Sequence, residues 1–134
     1  MSARNALQKA IHAVLSTDPV LAGLVAEDGI VDRRLSTQRL PVIVYGATDV
    51  RDLSADIERT EEHKLTFEVW SDAPGRREIE QIIDRLSLLL GDVSLSLDGY
   101  VLINLQRSGV TVRRQARSDY FYAEVRFRAV TETA

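Results

Sequence analysis

Residues 62–100, EHKLTFEVWSDAPGRREIEQIIDRLSLLLGDVSLSLDGY, decide the fold class of this chain. From His63 to Ser71 the side chains alternate. Leu65, Phe67 and Val69 point one way; Lys64, Thr66, Glu68 and Trp70 point the other. That is the period of a half-buried strand. Asp72-Ala73-Pro74-Gly75 breaks the strand and starts a helix. Within 76–90, Ile79, Ile82, Ile83, Leu86, Leu89 and Leu90 form a wide apolar stripe opposite Arg77, Glu80, Gln81, Asp84 and Arg85, the pattern of a helix laid on a core. Gly91 stands where a C′ glycine is expected. Asp98-Gly99, between the apolar runs 95–97 and 101–103, signals a hairpin.

Outward from that stretch, both flanks supply matching elements. Ser2 is an N-cap candidate for a first helix whose Ala3, Ala6, Leu7, Ala10, Ile11, Val14 and Leu15 share one face. Asp18-Pro19 starts a second, short helix, closed at Asp28-Gly29. Residues 30–33 form a candidate short strand, and Pro41 opens a β run from Val42 towards Leu53. Residues 54–60 read as a loop or hairpin tip. Beyond the Asp98-Gly99 hairpin the second arm extends to Val112, and 113–119 is an arginine-rich turn. The last strand, from Tyr120 to about Thr131, alternates Phe121, Ala123, Val125, Phe127 and Ala129 against Tyr120, Tyr122, Glu124, Arg126 and Arg128. The expected fold is a single α+β domain over residues 1–134. It has a mainly antiparallel sheet of about four strands, with two longer helices packed on one face.

Bulk composition narrows the function. The chain has 134 residues, 45% hydrophobic and 28% charged, with a net charge of −3, which is ordinary for one globular domain and weighs against general nucleic-acid binding. It has no cysteine, so disulfides, thiolate metal sites and cysteine catalysis are excluded; this fits a reducing compartment. The N-terminal segment has a helical period instead of the solid apolar block of a secretory signal. No stretch approaches the roughly 18 consecutive apolar residues of a membrane span, and no membrane association is expected.

Catalytic signatures are missing. No serine sits in a G-x-S-x-G elbow, and no G-x-G-x-x-G or Walker A pattern occurs. His12 and His63 are the only imidazoles; they lack the spacing of a metal site and read as surface or boundary residues. Asp49, Asp52 and Asp56 are loosely clustered but lack the spacing of a calcium loop. No catalytic residue, metal or cofactor is expected.

Two surface features are less ordinary. Residues 49–62 carry six acids, among them Asp49, Asp52, Asp56 and Glu58, against Arg51 and Arg59, whereas residues 113–128 carry five arginines, including Arg113, Arg114 and Arg117, against Asp119 and Glu124. Trp70, the only tryptophan, and Tyr120 and Tyr122 fall on the outward period of their strands. Aromatics mixed with arginines are enriched at protein interfaces. The competing explanation is two solvated charged regions and a tryptophan covered by a loop of its own chain.

The segments ALQKAIHAVLSTDPVLAGLV, IVDRR, PVIVYG, HKLTFEVWSDAPGRREIEQIIDRL, LSLDGYVLINLQ and YFYAEVRFRAVTE, in that order, cover nearly the whole chain. Together they resemble the small tail-completion, or tail-terminator-like, proteins of long-tailed phages, prophages and gene transfer agents. HKLTFEVWSDAPGRREI and RFRAVTE carry the resemblance most specifically. It implies a non-enzymatic virion protein that forms a homo-oligomeric ring, usually a hexamer, at the head-proximal end of the tail. Such a ring ends tube growth and joins tail to head, with the tail-tube protein and a head–tail connector or neck protein as partners. DNA would pass through the lumen without specific binding. The protein would sit in the bacterial cytoplasm during assembly and then in the particle. By analogy, the 49–62 region and the 113–119 turn become ring or tube contacts, with Trp70, Tyr120 and Tyr122 beside them. A head-side neck protein, another minor tail component and a monomeric binding module are the alternatives.

Overall fold

The computed structural model describes residues 2–54, 59–91 and 93–134. Helix α1 (Ala3–Thr17) begins where the Ser2 side chain accepts the Asn5 N–H, satisfying one of the donors a helix start leaves free. It ends at Asp18, which at once caps α2 (Pro19–Leu24) by accepting the Leu21 N–H at 2.8 Å. Strands β1 (Ile30–Val31), β2 (Val42–Asp52) and β3 (Thr60–Ser71) follow, then α3 (Arg77–Leu90), β4 (Ser96–Leu97), β5 (Tyr100–Arg114) and β6 (Phe121–Thr133).

The strands form one sheet in the order β1-β2-β3-β6-β5-β4. All neighbours are antiparallel except β1 and β2, which are parallel. This overturns the expected four-stranded sheet beneath two longer helices: among the described residues the sheet has six strands, is mixed, and curls into a half-barrel, with three helices of which α1 and α3 are long. The two extra strands have two residues each; they fall in the stretches read above as a short strand (30–33) and a hairpin arm (95–97), but no period in so short a run says that it joins the sheet. The curl has a local cause. Register shifts occur between Tyr45 and Thr48 in β2, and between Leu102 and Asn104 and between Arg107 and Gly109 in β5. An extra residue on one strand bends it and increases its twist.

The core lies on the concave side. Leu7, Ile11 and Leu15 of α1 and Ile79, Ile82, Leu86 and Leu90 of α3 are buried against Phe67, Val69, Val125 and Phe127. The Phe67 and Phe127 rings meet edge-on with centroids 5.5 Å apart, and Tyr45 extends the aromatic row at 5.8 Å from Phe67. Arg85 of α3 grips Asp18 with two hydrogen bonds of 2.9 and 2.6 Å. The residue that caps α2 therefore also ties the α1–α2 junction to α3.

Turns differ from expectation in detail. At Asp98-Gly99 only the glycine has positive φ, 83°. Gly91 is a C-cap glycine with extended backbone (φ −85°, ψ 121°), not a left-handed C′ residue. Its need for glycine comes from contact, because a Cβ there would lie 2.7 Å from the Ser87 carbonyl oxygen. The arginine-rich stretch also begins inside a strand, since β5 runs through Arg114 and the turn proper starts at Gln115. Tyr120 lies in that turn, before β6 starts at Phe121.

Candidate assembly interface

Residues paired across neighbouring strands put their side chains on the same face. Val42, Trp70, Tyr122 and Arg113 occupy one row across β2, β3, β6 and β5, on the convex face away from α1 and α3. Trp70 and Tyr122 have ring centroids 4.6 Å apart. The Arg34 guanidinium lies 4.4 Å from the Trp70 centroid, and that of Arg113 lies 4.8 Å from Tyr122. The result is a stack Arg34–Trp70–Tyr122–Arg113, each cation attracted to the negative face of a ring. Arg34 arrives from the segment between β1 and β2. Val42 and Val44 beside it are buried yet outside the concave core. The chain thus partly covers its own tryptophan: Trp70 is half-buried and Tyr122 buried. Burial, with Glu68 and Glu124 nearby, pushes the Tyr122 hydroxyl up to about 12.

The β5–β6 tip carries a second cation–ring cluster, on the opposite face of the sheet. Phe121 lies between Arg76 and Arg114, 5.4 and 5.0 Å from its centroid. Arg114 also reaches Asp119 at 3.4 Å, and Arg113 reaches Glu124 at 3.8 Å. The Gln115 N–H donates to the Tyr120 carbonyl at 2.7 Å, closing the turn, and Asp119 takes a left-handed φ of 61°, which its short polar side chain tolerates. Tyr120 is half-buried, and Arg117 is exposed with no partner among the described residues.

The acidic region occupies the other end of the sheet. Thr60, the first residue of β3, pairs with Glu132 at the end of β6, whereas Ser71 pairs with Phe121 at its start. The 12 residues of β3, at about 3.3 Å each, separate the two ends by roughly 36 Å along the strand. Asp49 is exposed on the convex face opposite Lys64. Asp52 accepts the Ser54 N–H at 2.7 Å, and the Ser54 hydrogen bonds hold its carboxyl below the usual range. Glu62 is buried; it accepts from Arg128 Nε at 2.6 Å and lies 3.5 Å from Arg51. Its hydrogen bond to Arg128 holds its carboxyl low. It is satisfied within the chain, which sequence reasoning did not anticipate. Asp56 and Glu58 lie outside the described residues.

The histidines do not gather into a site. His63 is wholly buried, contrary to the surface or boundary position expected for it. Its Nε2 lies 2.9 Å from Thr131 Oγ1, while Nδ1 has no partner among the described residues. Burial lowers its pKa; Glu61 opposes the shift and Arg4 adds to it. Its position was legible, since it shares strand parity with Leu65, Phe67 and Val69. His12 is exposed on α1, with Nδ1 2.7 Å from the Tyr45 hydroxyl. A cleft of about 260 Å³ opens between α1 and the β2–β3 hairpin, lined among others by Arg4, Gln8, Asp32, Tyr45 and Phe67. Among the described residues, no three His, Asp or Glu side chains are grouped to hold a metal ion, and no described helix is long and apolar enough to cross a membrane.

Comparison with known proteins adds the decisive information. The profile of a family described as tail completion protein gp17 matches residues 9–132. Among solved structures, the chain is similar to one from the virion of a native gene transfer agent particle. The two share 26% sequence identity, 98% of each chain is covered, and the TM-score is 0.89. No curated protein matches the sequence.

Proposed function

This chain belongs to the tail completion protein gp17 family, and from that footing we propose that it forms a ring at the head-proximal end of a phage-like tail, ending growth of the tail tube and joining tail to head. That it is a structural protein of a phage-type tail follows from the family and from its likeness to a gene transfer agent virion chain. The profile match over residues 9–132 carries the proposal, because it takes in the whole sheet but for the last residue of β6, and most of α1. A ring, hexameric by the resemblance to tail terminators, would meet the tail-tube protein on one side and a connector or neck protein on the other.

The charge layout supports a ring. A ring needs heterologous contacts, in which one patch meets a different patch on the next copy. Arg128 reaches Glu62 within the chain, but the arginines of 113–117 stand too far from the acidic end to pair with it. Opposite charge would also steer copies into one orientation. On this reading Asp49 and Asp52 at one end, and Trp70, Arg113, Arg114, Arg117, Tyr120 and Tyr122 at the other, are subunit or tube contacts, as are Asp56 and Glu58 of the same acidic stretch of sequence. The net charge of −3 suits a lumen through which DNA slides, since a strongly basic wall would hold phosphates by many salt-dependent contacts. The protein would act in the bacterial cytoplasm during assembly and remain in the particle, without enzymatic activity.

Negative-stain electron microscopy of particles from a producer lacking the gene tests the proposal. Filled heads separated from over-long or ragged tails are expected. Normal-length tails beside leaking heads would move the protein to the head-side neck, and intact particles would refute an assembly role.

A further inference from the structure

Both long margins of the sheet are open. β1 pairs with only Ile43 and Val44 of β2, which leaves residues 45–52 without a neighbour on that side among the described residues. β4 pairs with only Tyr100 and Val101 of β5, which leaves residues 102–114 equally bare. Among the described residues, no backbone hydrogen bond outside the β2–β3 and β5–β6 ladders reaches either run. An uncovered strand margin is a template for another chain. Neither margin is guarded by proline or lysine within these runs.

The two margins fit each other. β2 and β5 run in opposite senses, because three antiparallel pairings separate them. If the sheet of one copy continues into the next in the same orientation, β2 therefore meets β5 antiparallel, the more stable pairing. Residues 45–52 carry Asp49 and Asp52 against Arg51, which is drawn to Glu62, while residues 102–114 carry Arg107, Arg113 and Arg114 and no acid. Apolar side chains left in water also match in level. Leu53 follows β2 at 36% exposure, and Val101 and Ile103 at the start of β5 are 47% and 52% exposed; the ladders place them at the same end of the sheet. Two β5 margins facing each other would instead bring arginines together.

We propose that copies of this chain join margin to margin, the 48–52 run of β2 in one copy hydrogen-bonded to the 102–107 run of β5 in the next, so that one antiparallel sheet continues through the assembly. This deepens the ring proposal and rests on it, since the partner is a second copy.

A cysteine cross-link tests it, because the chain has no cysteine of its own. Asp49 and Gln106 share a row through Lys64 and Arg128, and both are exposed. Within one chain they stand three strand spacings apart, about 14 Å, beyond the roughly 7 Å that a disulfide spans. Asp49→Cys with Gln106→Cys is placed in a producer strain, and its particles are mildly oxidised and run on a non-reducing gel. A ladder in steps of 15.0 kDa is expected, with no ladder from either single variant. Asp49→Cys with Asn104→Cys covers a two-residue slip in register. Rings or normal particles without a ladder from either pair would overturn the margin pairing and leave the ring proposal standing. A dimer from Gln106→Cys alone would also overturn it, in favour of two-fold β5–β5 contact. Absence of any assembled form of the parent chain would overturn both proposals.

Discussion

Replacing Leu86 with Asp should unfold this domain at neutral pH, and the size of the effect can be worked out. Leu86 is fully buried in α3, and its helical neighbours at three and four positions, Ile82, Ile83, Leu89 and Leu90, are all apolar. No cation on its own helix face can answer a carboxylate there. Removing the leucine side chain costs about 2–5 kcal/mol. The new carboxyl escapes the larger cost of a buried charge by keeping its proton. At pH 7 that proton, held about 3 units above the ordinary pKa, costs roughly 4 kcal/mol. The sum, about 6–9 kcal/mol, consumes most of the 5–15 kcal/mol typical of a domain. Leu86→Asn makes a similar cavity without a titrating group and serves as the reference. Between pH 7 and 5 the protonation cost falls by about 2.7 kcal/mol, so the gap between the Asp and Asn variants should narrow by that amount. Urea unfolding of parent and both variants at the two pH values, followed by circular dichroism, reads this directly. An Asp variant that melts like the parent at pH 7 would refute the assignment of this helix face to the core. A gap that ignores pH would refute the charge part of the reasoning.

Three further outcomes are expected. Gly91→Ala should lower stability by about 1–3 kcal/mol, because the new Cβ meets the Ser87 carbonyl at 2.7 Å, although φ alone would favour alanine; an unchanged or higher Tm would show that the α3 terminus relaxes. The pKa of buried His63 is depressed below 6.5 when folded, so on acidification the unfolded chain binds the proton first. Stability should be full above that value and fall below it, with Asp18 and Glu62, both held low by arginines, adding their losses below about pH 4; denaturation midpoints that rise on acidification from pH 7 would contradict this sign. Arg113→Glu with Arg114→Glu should keep the fold, losing about 0.5–1 kcal/mol per cation–ring contact, yet lower the yield of complete particles. Normal particle counts from a folded double variant would remove the β5–β6 tip from the interface.

Much of the fold was legible where one residue's neighbours along the chain determine its environment. The parity of Leu65, Phe67 and Val69, the stripe on α3, the Asp18-Pro19 start of α2 and the Asp98-Gly99 turn are all local signals. What escaped depends on partners distant in sequence. Glu62 looks like one more acid of a solvated run until β6 brings Arg128, 66 residues away, to 2.6 Å. Asp18 was legible as a cap but not as the anchor for Arg85, 67 residues on. β1 and β4 were legible as a short strand and a hairpin arm, but their membership in the sheet depends on longer strands being there to join, which no two-residue period can report. His63 was misplaced because its acidic neighbours outweighed its parity. For the candidate interface, composition marked the two charged ends, but only the ladder register sets them at opposite ends of the sheet and shows Arg34 closing over Trp70.

The position of β6 in the sheet has a consequence for synthesis. This last strand lies between β3 and β5 and pairs along nearly its whole length with both. Until residues 121–133 emerge from the ribosome, β3 and β5 each lack their inner neighbour, and the apolar side chains meant for Val125 and Phe127 have nothing to close on. Ordering the sheet is therefore a late, long-range event, slow by the loop entropy that must be overcome first. A nascent chain of this kind offers β3 and β5 to whatever strand arrives first, so truncation before β6 should send it to chaperones or aggregates instead of a smaller fold.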